Sequence, residues 1–196
     1  MTLFSALSGV NVVFTHDTET MLVFMTELIN TSSDASDSRE DELLEVSQLN
    51  ALLDVHEYTG RRDGDAAELE AVRGIRSELR SFWRLDRDEA AELVNEMLRR
   101  EHALPQLVRH GSWDWHMHAI DRDAPLADRI RVEAAMAMFD VVRDDELGRL
   151  GECAADDCTA VLIDLSRNRS KRYCDVGNCG NRMNVNAYRA RRAGGI

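Results

Sequence analysis

All four cysteines of the chain lie in its last quarter, as Cys153-Ala-Ala-Asp-Asp-Cys158 and Cys174-Asp-Val-Gly-Asn-Cys179. The two pairs share one spacing, C-x4-C, and the fifteen residues between them can bring both pairs to one point. Four thiolates so arranged suit a tetrahedral zinc ion. Such a site is structural, because four thiolates close the coordination shell and leave no position for a reactive water. The alternatives are two disulfides, a redox switch or four unrelated buried thiols. Disulfides belong to oxidising compartments, and Met1-Thr-Leu-Phe has no basic start, apolar stretch or cleavage site of a leader. The expected setting is therefore the reducing cytoplasm.

The elements that must position these thiols follow from the residues between and after them. Ala160-Val-Leu-Ile-Asp-Leu165 is short, apolar and β-branched, as a strand requires, and Ser166 to Ser170 supplies turn chemistry before Lys171-Arg-Tyr-Cys174. The pattern predicts a hairpin returning to the metal. Asn181 to Arg192 contains neither Pro nor Gly, and Gly194-Gly195 stops it, so a helix is predicted there. On that helix Met183, Ala187 and Ala190 share one face, while Arg182, Asn186 and Arg189 share another with Arg192 at its edge. With Lys171 and Arg172 from the hairpin these form one basic patch for DNA. Arg182, in the first turn, is the candidate base reader. The competing reading has Asn181 and Arg182 bonding back to the metal knuckle.

Charge is distributed accordingly. The chain carries a formal charge of −12, yet residues 151 to 196 hold eight Lys and Arg against five Asp and Glu. All eight bases lie beyond Leu165, where Asp175 is the sole acid. An acidic body with one basic end is the layout of a protein that touches a polyanion with that end.

The run from Cys153 through Asp164-Leu-Ser-Arg-Asn168, Tyr173-Cys174 and Cys179-Gly-Asn-Arg182 to Val185, Tyr188 and Arg189-Ala-Arg191 closely resembles the bacterial CGNR zinc finger. Further upstream, Thr15-His-Asp-Thr-Glu19 and Glu27-Leu-Ile-Asn-Thr31 resemble the ABATE domain that precedes this finger in its family. The resemblance implies a stress-induced transcription regulator whose N-terminal domain senses a signal and whose finger binds DNA. It also implies an effector site, for which His16, Asp17, Glu19 and Asn30 are the candidates.

Ahead of the finger the pattern is helical. Apolar residues recur at helical spacing over Thr18–Asn30 (Met21, Leu22, Met25, Leu28, Ile29) and Glu42–Tyr58 (Leu43, Val46, Leu49, Leu53). They do so again over Asp65–Leu85 (Leu69, Val72, Ile75, Leu79, Phe82) and Asp88–Glu101 (Ala91, Val94, Leu98). Asp17 or Thr18 is the expected cap of the first helix. After Pro105 a hairpin is predicted across Gly111-Ser112, with Trp113, Trp115 and Met117 alternating onto a core face. Pro125 then starts a last helix to about Val142, and Leu147–Glu152 connects to the finger, with a strand as one reading of that connection. Asn11 to Phe14 is too brief to assign. The fold class is α+β and mostly α: a helical domain with a small hairpin over residues 1–148, then a small finger of hairpin plus helix over 149–196.

The remaining constellations are weaker. His116 and His118 share one face of a predicted strand, the minimum for a two-histidine metal site, but a solvated strand face explains them equally and no third ligand lies in sequence reach. His16-Asp17-Glu19 could begin acid/base machinery, and a capped helix start needs the same residues. No phosphate loop or nucleophile elbow occurs, so no catalytic residue is assigned. No apolar run is long enough to cross a membrane. Two rivals to the regulator remain: a zinc module binding protein, marked by an apolar patch on the finger, and an N-terminal enzyme, marked by a deep pocket around His16, Asp17 and Asn30. A homodimer is a further expectation, since one small finger has limited specificity.

Overall fold

The computed structural model describes residues 13–35, 38–109 and 114–193. The predicted Gly111-Ser112 turn, Trp113, the start of the Asn11–Phe14 segment and the Gly194-Gly195 stop lie outside these residues.

Helix α5 (Leu126–Arg143) is the axis of the body, packed against α1 (His16–Asn30), α3 (Ala66–Ser81) and α4 (Arg87–Arg100). It can be surrounded because Ala127, Ala134, Ala135 and Ala137 are buried beside Ile130, Met138 and Val141, and alanine lets a neighbouring backbone come close. From α1 the residues with helical spacing, Met21, Leu22, Met25, Leu28 and Ile29, all enter this core. The helix begins two residues before its predicted start, with Thr15 extended as N-cap and no side-chain cap bond. Thr18 does not cap. Its hydroxyl donates to Asp140 Oδ2 of α5 at 2.7 Å.

Helix α2 (Val46–Val55) is shorter than the predicted span of residues 42–58. A capping box between Glu45 and Gln48 starts it late. The residues before it are held in a loop by Asp41, which accepts from Arg76 of α3 at 2.5 Å and from the Leu43 amide at 2.9 Å. Asp65 caps α3, whose predicted last turn instead tightens into a 3-10 turn at Phe82–Arg84. In α4, Asp86 and Glu89 form a second capping box, and Ala90, Val94 and Met97 are buried rather than Ala91, Val94 and Leu98. The inward face keeps Val94 and is turned toward Ala90 and Met97, leaving Ala91 and Leu98 half-buried at its edge.

Strands β1 (Gln106–Val108) and β2 (His116–His118) pair antiparallel with Val108 opposite His116. The expected tryptophan and methionine core does not form there: Trp115 is 62% and Met117 43% exposed. The parity is reversed because His118 faces α5, where its Nδ1 lies 3.1 Å from Glu133.

Near the cysteines the pairing also differs from expectation. Strand β4 (Val161–Ile163) pairs antiparallel with β3 (Leu150–Glu152), the connecting segment in its strand reading, and not with residues 171–174. Two features explain this. Gly151 lies against Leu162 so closely that a Cβ would stand 3.1 Å from its side chain. Buried Asp164 accepts from the Ser166 amide at 2.8 Å and the Lys171 amide at 2.7 Å, curling the following segment into a loop. Val161 and Ile163 join the main core against α1, and Trp83 Nε1 donates to the Leu162 carbonyl at 2.9 Å. The last element, α6 (Cys179–Ala193), follows the second cysteine pair. Among the described residues no helix is long and apolar enough to cross a membrane.

Candidate metal centre and basic helix

Each thiol is placed by backbone bonds. The Cys153 amide donates to the Ala160 carbonyl at 2.9 Å, extending the β3–β4 ladder to the first ligand. Ala154 then donates to the Arg172 carbonyl at 2.8 Å, which brings the second pair alongside, and Cys158 donates to the Ala155 carbonyl at 3.1 Å in a tight turn. On the other side Asn178 adopts a left-handed backbone (φ 52°) and delivers Cys179 as the first residue of α6. Asparagine tolerates that conformation better than most residues, because its short polar side chain bonds locally. Here its Oδ1 accepts from Asn181 Nδ2 at 2.7 Å.

The four sulfurs lie within 4.8 Å of one another, with Cys158 to Cys174 at 3.6 Å and Cys174 to Cys179 at 3.8 Å. Sulfurs about 2.3 Å from a tetrahedral zinc stand about 3.8 Å apart, so the residues fit the ion; disulfides need about 2.05 Å. Cys153, Cys174 and Cys179 are buried and Cys158 is half-buried. Burial pushes the Cys158 thiol well up, and the neighbouring sulfurs push the same way. A cation is what allows four thiolates to share this volume.

Arg182 bridges the two halves of the centre. One guanidinium nitrogen donates to Cys179 Sγ at 3.2 Å and the other to the Asp157 carboxylate, which belongs to the first pair. The contact raises the guanidinium pKa and holds the Asp157 carboxyl below its ordinary value. Asp157 went unassigned in the sequence, although its place inside the first C-x4-C is the available signal.

Beyond Met183, every residue of α6 through Arg192 is exposed. Asn186, Arg189 and Arg192 therefore stand in solvent, with Arg192 over the Tyr188 ring at 5.7 Å. Val185 (45%) and Tyr188 (52%) are exposed between them. Arg172 is exposed beside the knuckle, and Lys171 pairs with Asp175 at 2.6 Å.

The N-terminal candidates separate. His16 and Asp17 line a cavity of about 620 Å³ between the start of α1, α5 and the β1–β2 hairpin, whose walls include His56, Tyr58, Glu133 and Asp140. Glu19 lies apart from it, accepting from the Val13 and Phe14 amides at 3.0 and 3.3 Å. Asn30 lies at the other end of α1, beside a cavity of about 460 Å³, and bonds to the backbone of β4. Glu133, distant in sequence from both segments, is the cavity residue that inspection of motifs could not reach.

Comparison with known families finds two matches. Residues 149–192 match the CGNR zinc finger, and residues 23–156 match ABATE, described as "Putative stress-induced transcription regulator". No curated protein matches the chain.

Proposed function

Since the chain belongs to the ABATE family and ends in a CGNR zinc finger, we propose that it is a DNA-binding transcription regulator of the cytoplasm whose N-terminal part, residues 1–148, receives a signal passed to residues 149–196. The observation that carries the reading is a helix fixed at one end by the four cysteines and solvated along the rest, bearing Arg189, Arg191 and Arg192 on an otherwise acidic chain. An α-helix of this kind fits the major groove, and its arginines can meet phosphates and guanine edges. Lys171 and Arg172 would hold the flanking backbone. Asn186 and Arg189, about one and two turns further out than Arg182, are the side chains positioned to reach bases. The effector cavity is the one that contains His16 and Asp17, and a homodimer would double the half-sites.

Binding of the full-length, zinc-loaded protein to genomic DNA fragments tests the reading. Affinity should fall steeply with salt, because phosphate contacts release counterions. A protein with no salt-dependent DNA affinity would support the second reading, a protein-binding module. That reading draws on Val185 and Tyr188, which would then be contact residues.

A further inference from the structure

The cavity between the start of α1, α5 and the β1–β2 hairpin combines an apolar lining with acidic groups. Met21, Phe24 and Ala137 are buried in its wall, whereas Leu107, Trp115 and Met117, which also line it, are exposed. Its volume of about 620 Å³ falls within the range of about 300–1,000 Å³ usual for sites that take small organic ligands. A ligand with an apolar body would cover the exposed part of that lining. The hydroxyl of Tyr58 is buried in the same wall and, among the described residues, has no partner in hydrogen-bonding geometry. Burial, together with the nearby Glu133 carboxylate, pushes the phenol pKa well up, so the hydroxyl keeps its proton and can donate as well as accept. A buried polar atom left in this state is one that a ligand can satisfy.

The charges of the lining are one-sided. Asp17, Glu57, Asp114, Glu133 and Asp140 stand against Arg143, the one Lys or Arg among the lining residues. Arg143 is already paired, with Asp140 at 3.0 Å and Asp144 at 3.1 Å. Asp140 also accepts from Thr18 at 2.7 Å, and Glu133 lies 3.1 Å from the His118 ring. Asp17 differs from these two: it is half-buried, and among the described residues its carboxylate has neither an ion pair nor a hydrogen bond. A carboxylate partly shielded from water and left unpaired favours a cationic partner. The convergence that a metal ion needs is not found in this wall. Among the described residues, the cysteine cluster is the group of three or more His, Cys, Asp or Glu side chains close enough to share an ion. The acids of the cavity are instead spread around a larger body. We propose that the cavity binds a small organic cation, an ammonium group on an aromatic or alkyl body, with Asp17 as its counter-ion and the body against Met21, Met136 and Trp115.

The chemical class of the signal follows from this, and its regulatory meaning rests on the reading of the cavity as the effector site. Binding is measured without DNA, so either can fail alone. The test titrates full-length, zinc-loaded protein in a calorimeter with three probes of similar shape: naphthylethylammonium, the neutral naphthylethanol and the naphthylacetate anion. The ammonium should bind about 10-fold or more tightly than the alcohol, because a hydrogen bond to a charged group is the stronger kind, and the anion should bind least. Asp17→Asn should bring the ammonium down to the affinity of the alcohol and leave the alcohol unchanged, with zinc content and far-UV circular dichroism retained. An alcohol or an anion that binds wild-type protein as tightly as the ammonium overturns the proposal. So does an ammonium that shows no binding at millimolar concentration, or an ammonium preference that survives in folded Asp17→Asn protein. The wild-type ranking decides by itself should that variant fail to fold.

Discussion

The side-chain amide of Asn30 exchanges two hydrogen bonds with the backbone of Val161: Nδ2 donates to the carbonyl and Oδ1 accepts from the amide, each at 2.9 Å. The last residue of α1 thus acts as one more strand residue on the edge of β4, the strand that leads away from the first cysteine pair. Both bonds are buried. Asn30→Ala should therefore leave a buried amide and a buried carbonyl unmatched, costing about 2–4 kcal/mol. Urea denaturation of the zinc-loaded protein measures it, and an unchanged midpoint would show that water replaces the side chain.

Metal loss should be felt unevenly. Because Val161 and Ile163 are part of the main core, removing zinc by chelation or by Cys174→Ser should release α6 and the loops around the cysteines while β4 and the five earlier helices persist. Metal analysis should give one zinc per chain in the wild type, bound by Cys153, Cys158, Cys174 and Cys179. Circular dichroism should lose no more helix than α6 contributes, and amide exchange should find Val161 still protected.

Arg182 is expected to matter for the metal centre before it matters for DNA. With Asp157 and Cys179 as its partners, Arg182→Ala should lower zinc affinity by about 10-fold or more, and Asp157→Asn should do nearly the same. The double variant should be little worse than either single one, since both remove one bridge. Strict additivity in a chelator competition would separate the two residues.

On DNA, Lys171, Arg172, Arg189 and Arg192 should set the salt dependence. With about four phosphates neutralised, log K should fall against log salt with a slope near −4, and each cation removed should flatten it by about one unit. An arginine that reads guanine would behave otherwise, costing about 1–3 kcal/mol on the preferred site and little on random DNA. Arg189→Ala, titrated against both, distinguishes the roles.

The helices, their inward residues and the cysteine centre were legible in the sequence because each rests on local spacing. Met21, Leu22, Met25, Leu28 and Ile29 announce α1 by themselves. What was not legible depends on partners far along the chain. The late start of α2 reflects Asp41 reaching Arg76, and the rotated face of α4 reflects where α5 lies. The misassigned hairpin near the metal is the clearest case: Val161 to Ile163 reads as a strand, but only Gly151 and the loop tied by Asp164 decide its partner. Likewise Trp115 and Met117 alternate as a core face should, yet the fold turns the histidine face inward toward Glu133.

Acid should loosen the loop before α2. The guanidinium of Arg76 holds Asp41 near pKa 2, against an ordinary 3.8. The folded carboxylate thus resists protonation more than the unfolded one, so stability is level above about pH 5 and declines as pH falls from about 4 to about 2. Asp41→Asn should remove that part of the acid slope. An identical slope in the variant would place the effect elsewhere.

The thiolate knuckle also changes how α6 forms. An isolated fifteen-residue helix in water is opposed by nucleation, in which several backbone angles are fixed before many hydrogen bonds are gained. Here Cys179 is both a metal ligand and the first helical residue, and the Arg182 amide already donates to the Asn178 carbonyl at 3.1 Å. The first turn is imposed by coordination, and what remains is propagation, one bond per residue, from a nucleus that does not dissolve. The outer turns can therefore fray and re-form on the sub-microsecond scale of helix–coil exchange without the helix being lost. The zinc is then a permanent initiation site for a helix whose outer turns, among the described residues, stand in solvent.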